Sequence, residues 1–390
     1  METPTILDRW VGVGSSTSAD ATSATSEALR VAVAGRDAAL VVLFVAPALD
    51  VHEVARTAAA ELSDGVEVVG CTTTGEIVGP EAGSGHLVAV ALGGPGFAVR
   101  TSVGDLADGS RVAGEAAAAC VAGVADSPNR ALLLLCDGFA GGRSEIVRGA
   151  YSVTGAAVPL VGGCAGDELA MTGTFQIHNG AVLTGVVIGV ALGSTGPIGV
   201  GIGHGWEKAG EPIVVTESDG QWIFRLDDVP ALDHYLATVG VPRESYDDQE
   251  VWRALALVHP LGLTRPGGEE VRAVLGFDDA ERALICGDVP QGTVVSVMDG
   301  DASTVGAGTR AACDEALAGL GGATPLGALA FDCAARRIVL GDDAIGDEAR
   351  EMSERLGGIP LGGFYTQGEF ARTHGTRGVH NATLVVLALG

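Results

Sequence analysis

A strand, a glycine-rich turn ending in an acid, and a second strand closing on Ala-Leu-Gly recur three times along this chain. The first copy reads Val68-Val69-Gly70-Cys71-Thr72-Thr73-Thr74-Gly75-Glu76 and closes at Ala91-Leu92-Gly93. The second reads Leu160-Val161-Gly162-Gly163-Cys164-Ala165-Gly166-Asp167-Glu168 and closes at Ala191-Leu192-Gly193. The third reads Leu361-Gly362-Gly363-Phe364-Tyr365-Thr366-Gln367-Gly368-Glu369 and closes at Ala388-Leu389-Gly390. Repetition constrains architecture before chemistry, because each copy is one unit that must bury its apolar face against its neighbours. It also predicts a glutamate (Glu76, Glu168, Glu369) at the same structural place in every copy.

Each copy has an upstream partner. The apolar runs Ala38–Ala46, Ala131–Leu135 and Leu326–Phe331 read as buried strands, and each leads into a helical stretch. Asp50 and Glu53 have capping-box spacing for a helix to about Leu62, with Gly65 beyond its end. The other two helices are expected near Ser144–Val153 and Asp347–Leu356, the last followed by Gly357. Apolar strands alternating with helices predict an α/β fold with mixed sheets covered by helices. The unit is strand, helix, strand, glycine turn, strand.

The third copy is delayed by extra chain between Ser194 and about Ala307. The glycine-rich stretch Gly193–Gly205 reads as a linker and predicts two domains, 1–198 and 199–390. Ile213–Leu226 reads as a hairpin turning at Ser218-Asp219-Gly220-Gln221. Pro230–Val239 reads as a helix with proline in its first turn. Short strands are expected at Val271–Leu275, Arg282–Cys286 and Thr293–Met298.

A formal charge of −26 makes nucleic acid and anionic membrane surfaces poor partners. The seven cysteines include no C-x-x-C pair and sit in apolar runs, which points to buried thiols in a reducing cytoplasm. No signal-peptide pattern opens the sequence and no apolar stretch has the length of a membrane span. The expectation is a cytoplasmic protein without a membrane partner.

The run 69–76 resembles the signature of the FIST N domain. Val214-Val215-Thr216 through Asp227, Pro230, Ala231 and Leu232 resembles the opening of the FIST C domain. So do Phe331-Asp332-Cys333-Ala334-Ala335-Arg336, the stretch Gly363–Glu369, and His380-Asn381-Ala382-Thr383-Leu384. Cys333-Ala334-Ala335-Arg336 departs from the family's usual Cys-x-Gly-Arg. The resemblance implies an intracellular sensory module that binds a small ligand such as an amino acid. With no output domain of its own, it would act through a signalling protein partner.

The residues offer several chemistries. Glu76 and Glu369 can receive an ammonium group in an interdomain cleft. Cys71, Thr72, Thr73, Thr74, Tyr365, Thr366, Gln367, His380 and Asn381 surround the same turns, and Arg336 is a natural carboxylate clamp. The alternative is that each acid caps a turn amide and each glycine supplies positive φ. The resemblance also raises a haem-binding gas sensor, with His86, His178, His204 or His380 as axial ligand. Without C-x-x-C-H, no covalent haem attachment is expected. A hydrolase would pair Cys71 or Cys164 with His380, oriented by Glu369. Gly12-Val13-Gly14-Ser15-Ser16 can cradle a phosphate or form a plain strand-to-helix turn. No spaced ligand cluster points to a metal, and neither an enzymatic role nor a resident cofactor is expected.

Overall fold

The computed structural model describes residues 9–242, 249–265, 268–287, 289–373 and 378–390. The first copy comprises β1 (Trp10–Ser16), α1 (Ala21–Val33), β2 (Ala38–Val45), α2 (Val51–Glu61), β3 (Glu67–Thr72), a short hairpin β4 (Glu76–Val78) and β5 (Glu81–Gly83), and β6 (Leu87–Gly93). The second repeats this order with β7 (Phe97–Asp105), α3 (Ser110–Ala118), β8 (Asn129–Cys136), α4 (Arg143–Thr154), β9 (Leu160–Cys164), the hairpin β10 (Gln176–His178) and β11 (Ala181–Leu183), and β12 (Val186–Ser194). The third opens with β13 (Ile198–Gly203) and is interrupted by an inserted sheet. The insert holds β14 (Glu207–Lys208), β15 (Ile213–Asp219), β16 (Trp222–Leu226), β17 (Val229–Pro230), α5 (Ala231–Val239), α6 (Gln249–Val258), β18 (Leu261–Arg265), β19 (Gly268–Arg272), β20 (Val274–Asp278), β21 (Ala283–Cys286) and β22 (Val294–Asp299). The third copy then resumes with α7 (Ala302–Ala318), β23 (Gly327–Cys333), α8 (Ala334–Arg355), β24 (Leu361–Thr366), the hairpin β25 (Glu369–Arg372) and β26 (Val379–His380), and β27 (Leu384–Leu389).

The three copies share one sheet topology and exchange their hairpins in a cycle. The first sheet runs β1-β6-β2-β3-β10-β11, the second β7-β12-β8-β9-β25-β26, and the third β13-β27-β23-β24-β4-β5. Each copy therefore lends its hairpin to a different sheet, and the cycle closes. Only the β2–β3, β8–β9 and β23–β24 pairs are parallel among the paired strands of these sheets. The insert forms a separate nine-stranded sheet.

The parallel strands are apolar on both faces because both faces are covered. Leu40, Val42 and Phe44 point inward to a shared core with Leu133, Leu135, Leu329 and Phe331. Val41, Leu43 and Val45 point outward under α1 and α2. The inner faces of all three sheets thus meet in one core, while each helix pair closes its own outer layer.

Glycines set the distance between the opening strands and their helices. A Cβ on Gly12 or Gly14 would lie 2.1 and 2.3 Å from carbonyl oxygens of α1. A Cβ on Gly199, Gly201 or Gly203 would lie 1.9, 1.8 and 2.0 Å from carbonyl oxygens of α7 and its neighbours. The stretch 193–205 is therefore not a linker throughout: it spans β13, an edge strand of the third sheet. Gly12-Val13-Gly14-Ser15-Ser16 is likewise strand, not a phosphate loop. The expected boundary at 198/199 falls at the start of β13.

Other elements follow local chemistry. Asp50 caps α2 by accepting from His52 N and Glu53 N, while the Glu53 carboxylate turns to Thr22 and Arg56, so the reciprocal half of a capping box is missing. Helix α8 starts directly after β23, well before Asp347, and breaks at Gly341 (φ 71°). The hairpin at 213–226 and the helix after Pro230 lie where the sequence places them. Strand β18 has no counterpart in the sequence reading. No described helix is long and apolar enough to cross a membrane.

Candidate functional site

The three glycine turns leave β3, β9 and β24 at the same end and lock onto one another. Gly166 N donates to Thr72 O (2.8 Å) and Glu168 N to Thr73 O (3.2 Å), joining the first two turns. Thr74 N donates to Tyr365 O (2.9 Å) and Tyr365 N to Gly75 O (2.8 Å), joining the first and third. Cys164 N donates to Gly368 O (2.8 Å) and Gln367 N to Cys164 O (3.1 Å), joining the second and third. These bonds between copies satisfy backbone groups that are out of reach of water, while Gly75 N and Gly368 N turn to the Thr73 and Thr366 hydroxyls of their own copies.

Within this knot the first and third turns carry the same device. Glu76 accepts from the Thr73 hydroxyl and from His86 N (3.0 Å). Glu369 accepts from the Thr366 hydroxyl and from Thr383 N (3.2 Å). Both carboxyls are buried, and that burial lifts Glu76 to about 7 and Glu369 to about 8, against the hydrogen bonds they accept.

The second turn corrects the expectation of a third equivalent glutamate. Glu76 pairs in register with Phe364 and Glu369 with Gly163, and the residue in the matching register, opposite Cys71, is Gln176. Glu168 is instead exposed, at φ 54°, at the start of a loop that the other copies lack. The amide bonded by a glutamate in the other copies is here Gly185 N, and it donates to Asp137 Oδ2 at 2.9 Å. Asp137 has taken over the acid's task, and the Gln176 Oε1 atom is left without a hydrogen-bond partner among the described residues.

Two arginines that the sequence reading did not single out hold these turns from behind. Arg337 Nη1 donates to Thr74 O, and Arg143 Nη1 donates to Gln367 O (2.7 Å). A Cβ on Gly75 would lie 2.1 Å from Arg337 Nη1, and one on Gly368 2.4 Å from Arg143 Nη1. The glycines therefore leave room for a guanidinium as well as supplying φ of 113° and 137°. A legible signal was Arg143 directly after Gly141-Gly142, at the start of a helix that has no side-chain cap.

The sequence-nominated residues lie at different depths. Cys71, Thr72, Thr73, Thr74, Glu76, Tyr365, Thr366 and Glu369 are buried in or beside the knot. Thr72 Oγ1 accepts from Phe175 N (3.1 Å), and Thr74 Oγ1 has no hydrogen-bond partner among the described residues. Gln367 and Asn381 are half-buried, and Gln367 Nε2 donates to Asp167 Oδ1 (2.9 Å). Arg336 is fully buried and clamps protein carboxylates, with Nε 2.6 Å from Asp332 Oδ1. Two cavities, of about 310 and 260 Å³, lie elsewhere: one beside Asp64, Glu67 and Asn179, the other on the insert beside Glu217, Arg225 and Glu281.

The histidines and cysteines are also placed. His178 Nε2 faces the Thr101 hydroxyl at 2.9 Å, His204 Nδ1 accepts from Trp206 N at 2.9 Å, and His380 Nε2 faces Ala371 O at 2.9 Å. His86 gives its backbone amide to Glu76. Burial, with Arg272 nearby, lowers His380 to about 4. His380 stands opposite Glu369 in register, yet no hydrogen bond among the described residues joins it to a cysteine. Cys71 is fully buried, which pushes its thiol up. Cys164 stands opposite Cys136 on the neighbouring parallel strand, and the Cys136 thiol holds it below the ordinary thiol value while burial opposes.

Comparison with known proteins agrees with this architecture. The FIST N domain matches residues 39–229 and the FIST C domain residues 231–372. An uncharacterized protein of Mycobacterium tuberculosis is 31% identical over 230 residues, covering 57% of this chain and 59% of that protein. One of Mycobacterium bovis is 30% identical over 217 residues, covering 54% and 55%. One of Methanocaldococcus jannaschii is 26% identical over 152 residues, covering 37% and 30%. The chain thus spans little more than half the length of the first two relatives. Two matched domains in this order place the chain in the FIST family, whose domains are associated with ligand binding and sensing in signal transduction rather than with catalysis.

Proposed function

We propose that this chain senses a small polar metabolite of the amino-acid class at the seam between the turn knot and the inserted sheet, and passes its occupancy to a signalling protein. The observation that carries the reading is the meeting of Gln367, Asn381 and Arg143 around Gly368. Asn381 Nδ2 lies 3.4 Å from the space a Gly368 Cβ would fill, and Asn381 Oδ1 lies 3.6 Å from the matching point on Gly287 of the insert. These three side chains are half-buried, whereas the threonines and glutamates behind them are closed off. Amides beside a guanidinium suit a carboxylate, and the uncapped start of α4 adds backbone donors. Asp167, already bonded to Gln367, is an acid beside this site that can serve an ammonium group. Cys71, Thr72, Thr73, Thr74, Glu76, Tyr365, Thr366, Glu369, His380 and Arg336 then act as the frame.

A ligand that binds only the native state raises its melting temperature. A thermal-shift screen of the full chain against amino acids and related carboxylates tests the reading. The expected result is a saturable shift with one class, lost in Asn381→Ala. No shift with any of them in ligand-free protein overturns it.

A further inference from the structure

The third copy contains a buried polar cluster that the turn knot does not use. Arg336 is fully buried, with Nε on Asp332 Oδ1 (2.6 Å), Nη2 on Thr309 Oγ1 (2.7 Å) and on Glu348 Oε1, and Nη1 on the carbonyl of His204 (2.6 Å). The Thr309 hydroxyl donates to the same Glu348 oxygen at 2.6 Å. The second oxygens, Asp332 Oδ2 and Glu348 Oε2, are buried and have no partner among the described residues. So is the Tyr365 hydroxyl, whose residue stands opposite Asp332 in register on the neighbouring parallel strand.

Two ionised carboxylates against one guanidinium would leave a buried excess negative charge and two acceptors without donors. Both are costly out of reach of water. One proton removes both defects, since it neutralises one acid and supplies the missing donor. We infer that Asp332 carries a proton that faces Glu348, and that this proton keeps Arg336 in place on the His204 carbonyl, where the chain passes into the inserted sheet. The other groups facing the cluster are Arg337 over the Tyr365 ring, Cys313 from α7, the buried Cys333 next to Asp332, and His204 itself. Among the described residues no cation other than Arg336 pairs with Asp332 or Glu348, and Arg337 pairs instead with Asp342. Burial raises Asp332 well above the ordinary carboxylate range, with Arg336 opposing and Glu348 adding to the rise.

In the unfolded chain both acids are ionised above about pH 4.3. The folded chain therefore holds a proton that the unfolded chain lacks, and the stability this confers is present in acid and lost as pH rises. Glu76 and Glu369 titrate in the same direction, so the test is a difference between variants. Glu348→Gln places an N–H where the proton sits, and Glu348→Ala removes the group. Chemical denaturation of the full chain from pH 5 to 9 should show Glu348→Gln folded and less dependent on pH than the parent. The difference should approach tenfold in the unfolding equilibrium per pH unit where the proton is held. Protection of the His204–Trp206 amides against hydrogen exchange, corrected for the intrinsic base-catalysed rate, should fall more steeply with pH in the parent than in Glu348→Gln. Identical pH dependence of parent and Glu348→Gln, or a Glu348→Gln variant as unstable as Glu348→Ala, overturns the inference.

Discussion

The guanidinium of Arg337 donates to the carbonyl of Thr74, 263 residues earlier in the chain. The bond ties the first turn of α8 to the first glycine turn, and the same guanidinium lies 5.4 Å from the centre of the Tyr365 ring. Arg143 makes the corresponding bond to Gln367, so two of the three turns are held by an arginine from another copy.

Replacing Arg337 by alanine strands the Thr74 carbonyl and uncovers Tyr365. The expected loss is about 1–3 kcal/mol, the cost of leaving a buried acceptor unpaired. Urea denaturation measures it, and an unchanged midpoint would show the bond to be dispensable.

Gly75→Ala should be far worse than Gly79→Ala, although both glycines have positive φ. A methyl at 75 would strike Arg337 Nη1 at 2.1 Å, whereas a methyl at 79 meets nothing within 4 Å. Backbone strain alone should cost Gly79→Ala roughly 1 kcal/mol, with the displaced guanidinium added at Gly75. Equal melting temperatures for the two variants would count against the close approach.

Phe364 stacks on Phe44 at 4.8 Å and meets Phe331 edge-on at 6.0 Å, at the centre where sheets from different copies converge. Phe364→Ala should cost about 3–5 kcal/mol. It should also leave a single cooperative transition, because all three sheets share that core. Two separated transitions would show instead that the copies melt independently.

Folding traps protons on Glu76 and Glu369, whose pKa values are raised to about 7 and 8 by burial. A raised folded pKa gives stability that is complete below the unfolded value near 4.5 and lost as pH climbs to about 8. The slope is at most about 1.4 kcal/mol per pH unit for each group. Glu369→Gln should flatten that decline between pH 5 and 8. The second copy already carries Gln176 in the corresponding register, so an amide is compatible with the position. A decline as steep in Glu369→Gln as in the parent would remove Glu369 from the account.

The apolar runs at Ala38, Ala131 and Leu326 were legible as buried strands because both of their faces are covered, leaving no polar interruption. The exchange of hairpins was not legible. Strands such as Glu76–Val78 and Gln176–His178 are too short to show a period, and their partners lie far along the chain. Spacing from the glycine turn pointed to Glu168, but a loop inserted after Asp167 moves the matching position to Gln176. Gly199, Gly201 and Gly203 have the composition of a linker, and only the helix lying across them shows why a strand needs them. Of the site residues, the threonines and glutamates drew attention because they occupy the repeated glycine turns, and the way the three turns pack on one another is why they are enclosed. Arg143 and Arg337 each sit at the start of a helix, and sequence alone does not show which distant carbonyl such a residue will meet.

The cyclic exchange of hairpins also bears on what the two family domains are. The match boundary between residues 229 and 231 falls inside the inserted sheet. A fragment ending there would lack the strands Glu369–Arg372 and Val379–His380 that complete its second sheet. Its own strands Glu76–Val78 and Glu81–Gly83 would have no sheet to join. Each matched stretch depends on strands of the other to complete a sheet. The backbone bonds among the three turns join all three sheets at one place, so the copies are tied there as well as through their shared core.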